Sequence, residues 1–332
     1  MSNSQIGNAP SHTQYFRPRR LGHVNLWVDD LQVSEDFYHH QCGLTVEFTE
    51  PDLIASFLGT GQTPHDLGMI QKTGGVDRYG RDGLLQLPGT IGVDVGLNHL
   101  AWELENEADL VAAYKNLVAN EIPTDITVDH QVAHSVYMFD PDGNYNEFYC
   151  DTVENWRDVL HGEMDLITSQ WDPLEAEGFS EGRYDRNPKL RTVNNASLHP
   201  QRVTHAVIQT ADMERLSEFY VEIAGLHIVE EDLGVRYFCG THGEYAYNLV
   251  IIPADEPAYG HAAFELADEA ALADAEQSLA ASNCAPKFVV DLPWKRSLFL
   301  SDPDGLMSEW YVSRDAPRSL ASRGDVPLLL AV

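Results

Sequence analysis

The sequence is poor in positive charge: 21 Lys and Arg stand against 52 Asp and Glu, a formal net charge of −31 at pH 7. A surface this acidic repels phosphate backbones and anionic bilayers, so neither nucleic acid nor membrane is an expected partner. Long apolar runs are missing as well. Nothing approaches the roughly 18 consecutive apolar residues that a membrane helix needs. The opening residues, Met1 to Arg20, lack the apolar core of a secretory signal, so a cytoplasmic location is expected. Cysteine is scarce. Cys42, Cys150, Cys239 and Cys284 lie far apart with no Cys-x-x-Cys pair, which argues against a zinc clip or a disulfide framework and for reduced residues in the core.

What is present suits a globular protein of two domains, since 332 residues with 43% hydrophobic content can fill two cores. The chain also repeats. Leu21-Gly22-His23-Val24 leads to Phe37-Tyr38 and Gly43-Leu44, and at the same intervals Val203-Thr204-His205-Ala206 leads to Phe219-Tyr220 and Gly225-Leu226. Further on, His99 precedes Glu147 by the interval at which His261 precedes Glu309, and each Glu follows an Asp-Pro-Asp-Gly turn that begins at Asp140 or Asp302. The stretch from His23 to His99 is longer than that from His205 to His261 by twenty residues. Because Pro64 to Ile70 still aligns with Ala246 to Ile252, the insertion falls between Ile70 and His99. Lys72 to Val95, rich in Gly and Asp, reads as an extended loop without strands, and long loops of this kind often act as lids.

A finer repeat lies inside each copy. Val24, Leu26 and Val28 alternate as a half-buried strand requires, and Leu31 to Tyr38 then shifts to helical spacing. Asn106 to Asn120 repeats that helix with Leu110, Ala113, Tyr114 and Leu117 on one face. The expectation is an α+β fold of four βαβββ units forming two domains, each a curved mixed sheet enclosing a cup. The expected boundaries are an N-terminal extension (1–19), a first domain (20–150), a helical interdomain connection (151–200), a second domain (201–313) and a C-terminal tail (314–332).

His23 and His99 fall on the first strands of their units and Glu147 on a last strand. Two imidazoles and one carboxylate on one face, with open positions opposite, form the facial triad of non-haem Fe(II) oxygen chemistry. An isolated His is more often a satisfied core residue, but here the same residue types return at the same strand positions as His205, His261 and Glu309, a second candidate set.

The His-bearing first strands, the Phe-Tyr and Gly-Leu pairs and the Asp-Pro-Asp-Gly-x-x-x-Glu signatures resemble the vicinal oxygen chelate superfamily over residues 20–150 and 200–313. Within it the chain looks most like the two-domain extradiol ring-cleaving dioxygenases of the catechol 2,3-dioxygenase kind. The resemblance implies the glyoxalase/bleomycin-resistance/dioxygenase fold, Fe(II) or alternatively Mn(II) as cofactor, and a small aromatic diol and O2 as the molecules acted upon. It also implies His65-Asp66, His130-Gln131-Val132 and Tyr137 as proton-handling groups beside the metal. At the aligned places the second copy has Tyr247, Leu292 and Phe299, and Leu and Phe cannot do that work. The N-terminal half is therefore expected to be catalytic, unlike the better-known members, whose C-terminal domain holds the iron. By the same resemblance, Tyr137 hydrogen-bonds the ionised diol oxygen, His130 contacts the substrate, and His65 faces oxygen and passes a proton.

Glyoxalase-like relatives use a fourth, carboxylate ligand on the last strand of the first unit. Leu67 to Gln71 contains none, so a three-ligand site is expected. A metal-dependent isomerase or lyase of the same superfamily and a non-catalytic small-molecule binding protein are the rival readings. Plainer roles fit other residues. Trp102 and Phe148 face the core, His39 and His40 close a helix, His134 is a less favoured ligand, and Asp77, Arg78 and Tyr79 sit on the insertion. Exposed sheet edges favour a homo-oligomer.

Overall fold

A computed structural model describes residues 15–164, 168–282 and 284–332. Most of the expected extension, residues 1–14, lies outside the described residues. Its end belongs to the fold: Phe16 is fully buried and stacks on Phe148 with ring centroids 3.8 Å apart.

In the first domain, β1 (Pro18–Val28) is followed by α1 (Leu31–Asp36), β2 (Thr45–Glu50), β3 (Ala55–Gly59) and β4 (Leu67–Gln71). Asp30 caps α1 by accepting hydrogen bonds from the N–H groups of Gln32 and Val33. The insertion carries β5 (Arg78–Tyr79) and β6 (Leu85–Leu87), and the second unit consists of β7 (Gly96–Leu104), α2 (Glu107–Ala119), β8 (Thr127–Asp129), β9 (Ala133–Phe139) and β10 (Tyr145–Asp151). Two short strands follow, β11 (Gly162–Glu163) and β12 (Ser169–Gln170). The second domain repeats the plan with β13 (Pro200–Thr210), α3 (Met213–Glu218), β14 (His227–Asp232), β15 (Val235–Cys239) and β16 (Leu249–Pro253). Its second unit comprises β17 (Ala258–Leu266), α4 (Glu269–Ala281), β18 (Phe288–Leu292), β19 (Lys295–Ser301) and β20 (Met307–Ser313), and α5 (Leu328–Ala331) ends the chain.

These strands make two large mixed sheets, ordered β11-β2-β3-β4-β1-β7-β10-β9-β8-β12 and β14-β15-β16-β13-β17-β20-β19-β18. Within each domain the two units join along one antiparallel seam, β1 with β7 and β13 with β17. The four expected βαβββ units are thus present as two domains.

Three expectations are corrected. The insertion is not strandless, because β5 and β6 pair as a small ribbon whose turn at Gly80–Gly83 is closed by Gly83 at φ 80. The 151–200 connection is not helical: among the described residues it contains a single short 3₁₀ turn, Trp156–Asp158. Pro173, Gly178, Gly182 and Pro188 interrupt any helical run there, and β11 and β12 instead extend the two edges of the first sheet. The segment after Arg314 is no loose tail. Leu320, Leu330, Ala331 and Val332 are buried against Tyr247, Leu292, Trp294 and Phe299, so they fill the cup of the second domain.

The repeated Phe-Tyr and Asp-Pro-Asp-Gly motifs meet across the domain interface. In each turn one carboxylate oxygen of the first Asp accepts backbone N–H groups, those of Asp142 and Asn144 on Asp140 and those of Asp304 and Leu306 on Asp302. The other oxygen of Asp302 accepts the Tyr38 hydroxyl at 3.1 Å, and that of Asp140 accepts the Tyr220 hydroxyl at 3.0 Å. Each domain thus inserts its Tyr into the turn of the other, and one apolar core runs through both. Since a buried hydrogen bond to a charged group contributes about 1.5–3 kcal/mol, Tyr38→Phe and Tyr220→Phe should each lower urea stability by about that amount. The double variant should lower it roughly additively.

Candidate metal centre

Register places the three candidate ligands. His23 on β1 and Glu147 on β10 both pair with Ala101 on the intervening β7, one from each side. His99 lies two residues before Ala101 on the same strand and therefore on the same face. Three functional side chains surround one methyl group, and that small centre leaves room for them to converge. Shifts in the β1–β7 register flank His23 on both sides, and the same shifts flank His205 in the second copy. Such bulges re-aim a strand's side chains.

The convergence is tight. His23 Nε2 lies 3.0 Å from Glu147 Oε2, His99 Nε2 lies 3.1 Å from the same oxygen, and the two Nε2 atoms are 3.3 Å apart. With metal–ligand bonds of about 2.1 Å, neighbouring ligands of an octahedral ion sit roughly 3.0 Å apart. The triangle has the size of one octahedral face. All three residues are 3–5% exposed, and three lone-pair atoms so close in a dry site repel unless a cation joins them. The donor set and its spacing fit a divalent metal.

The neighbours hold the ligands in the required form. His99 Nδ1 is 2.6 Å from the Asn98 amide oxygen, which keeps the proton on Nδ1 and turns the Nε2 lone pair inward. The Ser135 hydroxyl donates to Glu147 Oε1 at 2.6 Å, leaving Oε2 for the cluster. Burial pushes the Glu147 carboxyl up, but the adjacent His23 and His99 imidazoles outweigh it and hold the group well below the usual carboxylate range. Burial lowers the His23 imidazole, so the neutral, ligating form is favoured.

His65, His130 and Tyr137 all line the cavity above this triangle. The His65 ring lies 3.9 Å from that of His23, edge-on to Phe57, and both its nitrogens are buried without a hydrogen-bond partner. Burial, with His23 adding to it, drives its pKa well below the ordinary imidazole value. His130 Nε2 is 3.0 Å from the Tyr137 hydroxyl, whose pKa burial and the nearby Glu147 charge raise well above normal. Asp66 serves the fold. Its carboxylate accepts from Thr60 N and Oγ1 at 2.6 and 2.8 Å, fixing the turn that presents His65.

Other expectations sort by position. Trp102 and Phe148 are fully buried in the core. His39 bonds the Leu44 carbonyl and His40 is exposed. His134 pairs with Glu107 and stacks on Trp171, away from the triangle. Asp77, Arg78 and Tyr79 are not among the residues lining the cavity; Arg78 donates to the Leu53 and Lys72 carbonyls. Two residues escaped notice, Tyr145 and Tyr149, which line the same cavity. They flank Glu147 at i−2 and i+2 on β10, so strand alternation alone could have found them.

The second set also clusters, with His205 Nε2 and His261 Nε2 3.7 and 3.3 Å from Glu309 Oε2. Its electrostatics differ. Lys295, at the place of Ala133 in the first copy, sets its ammonium 2.6 Å from Glu309 Oε1 and also donates to the Val332 carbonyl oxygen. The positive charge that a metal would bring to the first triad is supplied here by a side chain. The cup above is filled by the end of the chain.

The sequence pattern of the Glyoxalase/Bleomycin resistance protein/Dioxygenase superfamily matches residues 20–148 and 202–309. The chain belongs to this superfamily. It is 31% identical over 170 residues to biphenyl-2,3-diol 1,2-dioxygenase 3 of Rhodococcus globerulus, covering 49% of this chain and 83% of that protein. It is 26% identical over 155 residues to catechol-2,3-dioxygenase of Bacillus subtilis (strain 168), spanning 46% of this chain and about half, 51%, of that one. Among solved structures, the 2,3-dioxygenase LapB from Pseudomonas sp. KL28 superposes with a TM-score of 0.63 at 14% identity, over 91% of this chain and 95% of that one. Both sequence relatives are dioxygenases by name.

Proposed function

We propose that the protein is a non-haem Fe(II)-dependent extradiol dioxygenase that cleaves the ring of a catechol-like or hydroquinone-like aromatic diol with O2, using the N-terminal domain. The observation that carries this reading is the facial triangle of His23, His99 and Glu147 at the floor of a cavity of about 830 Å³, with three further proton-handling groups beside it. Three ligands leave half of an octahedral sphere for guests. When bound, Fe(II) supplies the positive charge that lowers a diol's pKa and the redox capacity that dioxygen chemistry requires.

The protein groups supply orientation and proton transfer. Tyr137, kept protonated by its surroundings, can donate its O–H to an ionised diol oxygen, while His130, hydrogen-bonded to the same hydroxyl, fixes that oxygen's position. His65, neutral and with unpaired nitrogens, would accept the proton that the diol releases and return it to the substrate. In the second cup Leu292 and Phe299 stand at the places of His130 and Tyr137 and offer no proton-transfer group.

Anaerobic reconstitution with Fe(II), metal analysis and an oxygen-electrode screen of diols test the proposal. Expected are one iron per chain, oxygen consumed in step with diol, and a coloured ring-opened product. His205→Ala should keep both the single iron and the turnover, because Lys295 already neutralises the second site. Metal without oxygen uptake on any diol would move the protein to the isomerases and lyases of the superfamily. A protein that never takes up iron or manganese would be a binding protein.

A further inference from the structure

The second domain repeats the donor face of the first almost atom for atom. His205 on β13 and Glu309 on β20 both pair with Ala263 on β17, as His23 and Glu147 pair with Ala101. His261 lies two residues before Ala263 on the same strand, as His99 does before Ala101. Ser297 donates to Glu309 Oε1 at 2.5 Å, as Ser135 does to Glu147.

This face is buried and unsatisfied. His205 is 1% exposed, and His261 and Glu309 are 0% exposed. Among the described residues, His205 Nε2, both ring nitrogens of His261 and Glu309 Oε2 have no hydrogen-bond partner. Buried polar atoms of this kind cost stability unless something joins them. The two Nε2 atoms lie 3.7 and 3.3 Å from Glu309 Oε2, and tetrahedral ligands about 2.1 Å from a divalent ion sit roughly 3.4 Å apart. The donors have the chemistry and the spacing of a metal site.

One side chain and one strap set this copy apart. Lys295, 2% exposed, stands where the first copy has Ala133. Its ammonium lies 2.6 Å from Glu309 Oε1, the oxygen that the imidazoles do not face. It balances the carboxylate's charge and leaves Oε2 and the two imidazoles unjoined. A divalent ion on Oε2 would lie about 5 Å from this ammonium, where two cations in a dry site repel strongly. The lysine is also locked in place. It donates to the Val332 carbonyl, and its neighbour Trp294 donates from Nε1 to the Ala331 carbonyl at 3.2 Å. Leu330, Ala331 and Val332 are buried with Leu292 and Phe299 around it, so the ammonium cannot swing out to solvent.

We propose that the second domain carries a latent divalent-metal site of His205, His261 and Glu309, held shut by the buried Lys295. The wild-type metal count rests on the reading above; the gain on removing Lys295 does not. The test is equilibrium dialysis of the chelator-treated full chain against Co(II), with bound metal counted and circular dichroism recorded on the same sample. Wild type should hold one Co(II), Lys295→Ala two, and Lys295→Ala/His205→Ala one again, the added ion binding more than about a hundredfold weaker in the double variant. Lys295→Gln, whose amide can keep both hydrogen bonds, should also gain the ion and guards against a packing defect. A folded Lys295→Ala chain without added Co(II), an added ion that survives His205→Ala, or a wild type that already holds an ion lost in His205→Ala overturns the proposal. So does failure of both Lys295 variants to fold with Co(II) present, because the ion should replace the lost charge. Wild type without metal but Lys295→Ala with one ion supports the latent site and overturns the reading of the first domain.

Discussion

His23→Ala protein is expected to emerge from Fe(II) reconstitution with far less than one iron per chain and no measurable oxygen uptake on any diol. In the proposed site His23 is one of three protein ligands, and its nitrogen lies 3.0 Å from Glu147 Oε2 and 3.3 Å from the His99 nitrogen. Loss of a supporting neighbour alone typically costs 10–100-fold in metal affinity, so loss of the ligand itself should cost more. The fold should survive, since the strand is held by backbone pairing on both edges and a smaller side chain relieves crowding among three buried polar groups. Metal analysis and circular dichroism on the same sample separate the outcomes. A folded His23→Ala protein that retains one tightly bound iron and normal turnover would remove the active site from the N-terminal domain. His205 would then be the residue to replace.

Much of this site was legible because repetition carries geometric information. A His at one place in a strand is ordinary, but the same His, His and Glu at matching places in two copies mark a shared face, and strand alternation then fixes which neighbours lie behind it. That His65, His130 and Tyr137 would share one cavity was legible only through the family resemblance. Ala101 was not legible at all. Its contribution is the smallness of a methyl between two functional strands, which no chemical motif records. Lys295 was hidden for the opposite reason: a lysine reads as surface until the fold shows it buried beside Glu309. The interdomain Tyr–Asp latches join residues 264 and 80 positions apart, and their turns were legible only as turns. The apolar end of the chain, Leu328 to Val332, read as a tail because short apolar runs do not announce what they will cover. The ribbon in the insertion has an irregular two-residue register, too short for any periodicity to reveal.

For His65→Phe the expected pattern is different: iron kept, diol bound, turnover lost. His65 is not one of the three converging ligands, so the metal's protein ligands are untouched. Phe has similar bulk and can keep the edge-on contact with Phe57, 5.0 Å between centroids. It also removes two buried nitrogens that have no partner, so stability should hold or rise by about 1 kcal/mol. What disappears is a neutral imidazole beside the His23 ring, the one group of the trio whose nitrogens are both uncommitted. General acid–base groups contribute about 10²–10⁴ in rate, and a fall of that order in kcat with nearly unchanged diol affinity is the expected split. Tyr137 and His130 remain paired with each other in this variant, so substrate orientation is preserved and the loss isolates proton transfer. Full turnover by an iron-loaded His65→Phe enzyme would show that His65 only packs, and the proton's carrier would have to be sought at His130.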